Sequence, residues 1–180
     1  MVDSEKERNS KSFQKWFPLK IVEPSLIPSA DVIEDFDLEN LQFLVKLSVS
    51  MQMICIASQG IGLSAVQCGV PYKVLIASDD GIQFRTFANC TYTGISEKMD
   101  SLEGCLSLKD TNGNLRRFIL PRYPKILVQG FEIFTNNPIN PIKQISEEFS
   151  GIFGVVLQHE IDHHEGKLIC DLGKEVEVYK

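Results

Sequence analysis

The chain has no disulfide framework. Its five cysteines (Cys55, Cys68, Cys90, Cys105 and Cys170) are odd in number and include no CxxC pair, which fits a reducing cytoplasm. Positive charge is also short: 18 Lys and Arg against 24 Asp and Glu give a net charge of −6 and a sequence pI near 5.1. With no basic cluster, a nucleic-acid backbone is not expected as the main ligand. No apolar run approaches the ~20 residues that cross a bilayer, so no membrane partner is expected. The first sixteen residues lack the apolar segment of a secretory signal. There is no Walker lysine, no internal repeat and no low-complexity tract. What remains is 180 residues, 43% hydrophobic, a length that suits one domain burying roughly 70% of its unfolded surface.

Residues 1–16 read as a mobile polar tail and 17–180 as a single domain. Asp37 reads as a helix N-cap with Glu39 in the first turn. Leu41, Leu44, Met51 and Cys55 follow at helical spacing, which predicts a helix over about 38–57, ended by Gly60. From Lys73 to Thr93 the texture is β-branched and aromatic, interrupted by Asp79-Asp80-Gly81, so strand, turn, strand. Residues 109–117, with Asn112-Gly113, read as a surface loop. Residues 125–134 read as a strand broken by Gly130, and Asn136 to Pro141 as a turn-rich connection. A second long helix is expected over about 147–165, with Glu147 and Glu148 at its positive end. The class is α+β: one helix, a run of strands, then a second helix.

That helix carries His159-Glu160-Ile161-Asp162-His163. At ~100° per residue, Ile152, Val156, His159 and His163 fall within an arc of roughly 60°, so both imidazoles share the apolar face. Two histidines one turn apart can hold a divalent metal, with Glu160 beside them as a general base. Upstream, Glu103-Gly104-Cys105-Leu106-Ser107 offers Cys105. Alone it would read as a small buried hydrophobe, but beside a His pair lacking a third ligand it becomes the candidate. Three protein ligands with one open position make a catalytic geometry. The third segment, GIGLSAVQ at 60–67, lacks the setting of a nucleotide site. Its useful member is Gln67, an amide able to donate to a developing oxyanion.

The three segments, in this order, resemble the peptide deformylase family, whose motifs are GxGxAAxQ, EGCLS and HExDH. Here Ser64 stands where the first motif usually has alanine, and the other two match in full. The likeness runs from about Leu19 to GKLICDL at 166–172, and it implies a fold of antiparallel strands packed around a central helix carrying HExDH, plus one N-terminal helix. It implies a metal held by Cys105, His159 and His163, with Fe2+ in the cell and Zn2+ or Ni2+ as substitutes, and water or hydroxide as fourth ligand. It implies further that Glu160 takes the water's proton while Gln67 and the Leu106 N–H stabilise the tetrahedral oxyanion. The substrate would be the N-formylmethionyl end of a nascent peptide, releasing formate, with the ribosome exit region as a further partner. A pocket for methionine is expected from Ile61, Gly62, Val155 and Val156. Asp162 is expected to face away from Glu160 and to pair with Arg122, where the resemblance supplies an arginine.

The chain departs from the family in the longer 109–117 segment, in His164, expected to miss the metal, and in ending without a long C-terminal helix. A zincin-type peptidase would need a third ligand downstream of His163, where only His164 and Glu165 lie close. A binding module that has kept the fold, and a cysteine hydrolase using Cys105 as nucleophile, are the other readings.

Overall fold

The structure, a computed structural model, describes residues 17–137 and 139–177; the expected tail at 1–16 lies outside the described residues. Helix α1 spans Leu38–Ala57. Asp37 caps it by accepting a hydrogen bond from the Asn40 N–H at 2.8 Å, which satisfies one of the free donors of the first turn. Phe43, Leu44, Leu47, Met51 and Cys55 form its buried stripe. Contrary to the sequence expectation, Glu39–Ala57 has the length and composition of a membrane span, with a mean hydropathy of 1.3. Here that stripe is inserted in the protein core.

The strands are β1 (Gly62–Ser64), β2 (Val74–Ala77), β3 (Arg85–Gly94), β4 (Met99–Lys109), β5 (Leu115–Arg122), β6 (Lys125–Ile133) and β7 (Ile142–Ser150). Helix α2 (Gly151–His164), a short helix α3 (Ile169–Leu172) and β8 (Lys174–Val176) complete the described chain. All ladders are antiparallel, with order β1-β2-β3-β6-β7 in one sheet and β4-β5-β8 in the other. Strand β2 reads VLIA and is buried throughout, because the large sheet is covered on both faces. Val74 and Ile76 join the α1 core. Leu75 and Ala77 join the core beneath α2, with Val156, Leu157 and Ile161 of that helix. The class is α+β, as the element order predicts, and the antiparallel strands surround a central helix, as the resemblance implies.

Three boundaries differ from expectation. Helix α2 begins at Gly151, because residues 142–150 pair with β6 over nine registers. Glu147 instead pairs with Lys143 and Arg85, and Glu148 with Lys125. Residues 115–117 belong to β5; only the tip of the 109–117 segment is a turn, closed by Asp110 accepting from the Asn112 and Asn114 N–H groups. Gly130 does not break its strand. It faces a β-bulge: Ala88 pairs with Phe131 and Thr91 with Gln129, so Asn89 and Cys90 together oppose Gly130. Asn89 sits at φ 52, a left-handed conformation asparagine tolerates, and its side chain is bonded twice to the Ile33 backbone.

A Cβ at Gly130 would lie 2.5 Å from Cys90 Sγ and 2.8 Å from its Cα. Gly130→Ala should therefore cost about 1–3 kcal/mol as overpacking against backbone. It should read as a lower denaturation midpoint with an unchanged slope. An unchanged midpoint would mean that the bulge can shift freely.

Candidate active site

Helix α2 aims His159 and His163 at β4. Their rings stand one turn apart, with centroids 4.9 Å apart and planes at 82°. Cys105 arrives from the middle of β4, its Sγ 3.5 Å from His163 Nε2. One donor atom from each of Cys105, His159 and His163 lies within 4.8 Å of the others, and all three residues are buried. Ligands tetrahedrally arranged around one such ion stand about 3.3–3.8 Å apart. A thiol and two imidazoles are also the donor types that divalent transition metals favour. The residues present therefore fit a metal.

The imidazoles are held in different states. Burial lowers His159, but Cys105 and Glu103 outweigh it and hold the ring well above its ordinary pKa. Burial, followed by His159 and His164, pushes His163 well below. A cation bound here would displace the His159 proton. Glu160 is buried beside the pair, with Oε2 lacking any protein partner. Burial pushes its carboxyl up to about 7, near where a proton carrier at neutral pH is most effective. Gly62 makes room for it, since a Cβ there would lie 2.6 Å from Glu160 Oε1 and 2.6 Å from Val156 Cγ1. Gln67 lies in a buried 3-10 turn, Ala65–Cys68. Its Oε1 accepts from the Ser64 N–H at 2.9 Å. The amide nitrogen is thus turned towards Cys105 Sγ at 3.3 Å and Ser107 Oγ at 3.2 Å.

Behind the pair lies a buried ionic network. Arg122 donates Nε and Nη2 to the Glu103 carboxylate, at 2.8 and 3.1 Å, and Nη1 to Asp162 Oδ2 at 2.5 Å. Glu103 Oε2 in turn meets His159 Nδ1 at 2.8 Å. Burial opposes the Glu103 charge, but His159 and Arg122 win and hold its carboxyl down at about 2. An ionised acceptor assigns the proton to Nδ1 and leaves Nε2 of His159 free for a metal. Sequence reasoning paired Arg122 with Asp162 but passed over Glu103. Its signal was present: an acidic residue two positions before the candidate ligand.

A cleft of about 460 Å³ opens over these groups. Ile61, Gly62, Val155, Val156, Gln67 and Leu106 all line it, with Leu102, Arg117 and Ile152, which the sequence did not single out for the cleft. Ile152 shares the histidine face, as the spacing predicts, yet is 56% exposed because that end of the stripe runs into the cleft. His164 turns the other way, its Nε2 at 3.3 Å from the Val74 carbonyl.

A family model described as polypeptide deformylase matches residues 19–178. A peptide deformylase of Parafrankia sp. (strain EAN1pec) is 34% identical over 155 residues, 85% of this chain and 76% of the relative. Peptide deformylase 1 of Nitrosomonas europaea is 29% identical over 160 residues, 83% and 82% respectively. Among solved structures, a probable peptide deformylase from synechococcus phage S-SSM7 superposes with a TM-score of 0.70 at 28% identity. That match covers 86% of this chain and 99% of the other.

Replacing Arg122 by leucine strands two buried carboxylates, Glu103 and Asp162, each no more than 7% exposed. Removing one partner of a buried ion pair costs about 3–5 kcal/mol. Chemical denaturation should register a loss of that order, and a loss under 1 kcal/mol would mean water reaches both carboxylates.

Proposed function

This chain belongs to the polypeptide deformylase family, and from that premise we propose that Cys105, His159 and His163 hold its catalytic metal, with Glu160 as the proton carrier. Members of the family remove the N-formyl group from nascent peptides by hydrolysis, releasing formate, and do so with a metal. One observation carries the assignment of residues: three buried metal-donor groups within 4.8 Å of one another, beside a buried carboxylate oxygen with no protein partner. We assign the ion as Fe2+, with Zn2+ or Ni2+ as substitutes, all compatible with a thiolate–imidazole set. When bound, such an ion supplies Lewis acidity that brings water towards ionisation at neutral pH.

The chain's own residues perform the rest. Glu160 accepts a proton from the water that attacks the formyl carbon and delivers it to the departing amine. Gln67, its carbonyl end pinned by Ser64, donates to the oxyanion. The Leu106 N–H is the second donor; Leu106 falls between Gly104 and Lys109, where the register between β4 and β5 is interrupted. The cleft is bounded by β1 and β4, each the terminal strand of its sheet. An extended peptide can lie between them as an added strand, bonded through its backbone, so the site tolerates varied sequences. Ile61, Gly62, Val155 and Val156 receive the methionine side chain, whose burial is worth about 1.5–3 kcal/mol. Such a substrate is met at the ribosome exit region, in the cytoplasm or another compartment that translates.

The Cys105–His163 contact of 3.5 Å would also suit a thiol nucleophile and its base. That reading leaves the Glu160 carboxylate and the second histidine without a task. A chelator separates the two, since a cysteine hydrolase survives it.

The decisive measurement is formate release from a formyl-Met peptide by anaerobically purified protein, with metal content determined on the same sample. Activity should fall with chelation and return with Fe2+; full activity in metal-free protein would sink the proposal. Glu160→Gln should retain metal and lose about 10²–10⁴ in rate. Gln67→Ala should lower kcat by about 10²–10³ with KM little changed. If Glu160→Gln kept a tenth of wild-type turnover, the proton would be travelling by another route.

A further inference from the structure

The ionic network behind the metal donors does not end at Asp162. Arg122 occupies Asp162 Oδ2, and the other oxygen, Oδ1, accepts a hydrogen bond from the Tyr92 hydroxyl at 3.0 Å. Tyr92 stands on β3, in the five-stranded sheet, whereas Arg122 and Glu103 stand on β5 and β4 of the other. Asp162 is therefore the point where donors from both sheets meet on α2.

The bulge is what aims this tyrosine. Before it, Thr86 and Ala88 face α1: Thr86 bonds Ser48 of that helix, and Ala88 lies in its core. Phe87 faces the α2 core. Uninterrupted alternation would send residues 89, 91 and 93 to the α2 side. Two residues against Gly130 shift the phase by one, as bulges do. Cys90 and Tyr92 pack into the α2 core instead, while Thr91 and Thr93 are exposed. Burial, reinforced by the Asp162 carboxylate, raises the Tyr92 phenol above its ordinary pKa, so it remains a donor at neutral pH.

We propose that Tyr92 is a positioning residue for the metal donor His159, acting through Asp162, Arg122 and Glu103. By filling Oδ1 it fixes the plane of the Asp162 carboxylate. That plane sets where Arg122 Nη1 points, the guanidinium is rigid and planar, and its other edge holds Glu103 against His159 Nδ1. Removing the hydroxyl frees the carboxylate to rotate and loosens the imidazole at the far end of the chain. The inference rests on the proposed Cys105–His159–His163 site, and the experiment distinguishes failure of the one from failure of the other.

The probe is Co2+ bound to the full chain, read by its sulfur-to-metal charge-transfer band, its visible ligand-field bands and its rate of loss to excess chelator. Tyr92→Phe keeps the ring that packs in the α2 core and removes only the donor. Groups that bond a metal ligand directly are worth 10–100-fold in metal affinity, so a residue further out should speed Co2+ loss by about 3–10-fold. The ligand-field bands should shift as well. Ser48→Ala removes a hydroxyl bonded to Thr86 Oγ1 at 2.6 Å, elsewhere on the same strand, and should leave rate and bands at wild-type values. In an Asp162→Asn background, Tyr92→Phe should add nothing further. A Tyr92→Phe protein with the wild-type loss rate and spectrum would overturn the inference, as would Ser48→Ala moving both equally or full additivity with Asp162→Asn. Wild-type protein without a sulfur-to-Co2+ band would instead overturn the metal assignment itself.

Discussion

A single guanidinium, Arg122, joins the three-stranded sheet to the helix that carries His159 and His163. It is 4% exposed and bonds Glu103 on β4 and Asp162 on α2. Cys105 and the two histidines come from these same two elements, so their separation is set by how β4 sits against α2. Apolar packing alone would leave that separation soft, since side chains in a core of Leu, Ile and Val can trade places at small cost. Burying this ion cluster is not a route to greater stability, because desolvation offsets much of the attraction. What it supplies is one arrangement: bidentate geometry tolerates little rotation, and each carboxylate has a named partner.

The packing of the large sheet serves the same end from the other side. Covered by α1 on one face and by α2 on the other, it gives α2 a fixed floor. Where helix and sheet, or two strands, approach most closely, side chains are absent. Gly62 lies against Glu160 and Val156, and Gly130 opposite the bulge. The first keeps a carboxylate in reach of the cleft, and the second sets which residues of β3 face the helix. Local backbone choices thus reach the site through the phase of a strand.

Much of this is legible in the sequence. Helix α1 is legible to its ends, since its apolar residues repeat at helical spacing and Asp37 marks its start. The pattern at 159–163 put two imidazoles on one face, and the motifs drew Cys105 and Gln67 to them. The strands around the site were harder. Met99–Lys109 mixes charged and apolar residues without clean alternation, because one edge of β4 borders the cleft and its register with β5 is interrupted after Gly104. Glu147 and Glu148 looked like the first turn of a helix, since acids favour that place, yet they face lysines and Arg85 across and along strands. Glu103 escaped notice for a related reason: its role depends on Arg122, nineteen positions away, and on His159, fifty-six away. Periodicity carries no information about pairing at that distance.

The charge balance of the cluster also favours a cation there, beyond the geometry of three donors. Glu103, Glu160 and Asp162 are buried together, and Arg122 is the only buried lysine or arginine among the described residues. Two shifts register the deficit. Burial, with Glu103 and Asp162 adding to it, drives Glu160 up to about 7, and Cys105 and Glu103 hold His159 well above its ordinary range against burial. Both are ways of taking up protons where positive charge is missing. A divalent ion at Cys105, His159 and His163 answers the same deficit with two charges. With that ion in place, Glu160 would be free to exchange its proton rather than retain one as a counter-charge. A nucleophilic cysteine would need one histidine as its base and would give the second histidine and the buried carboxylates no task. The three carboxylates therefore favour the metal reading independently of the motif that first suggested it.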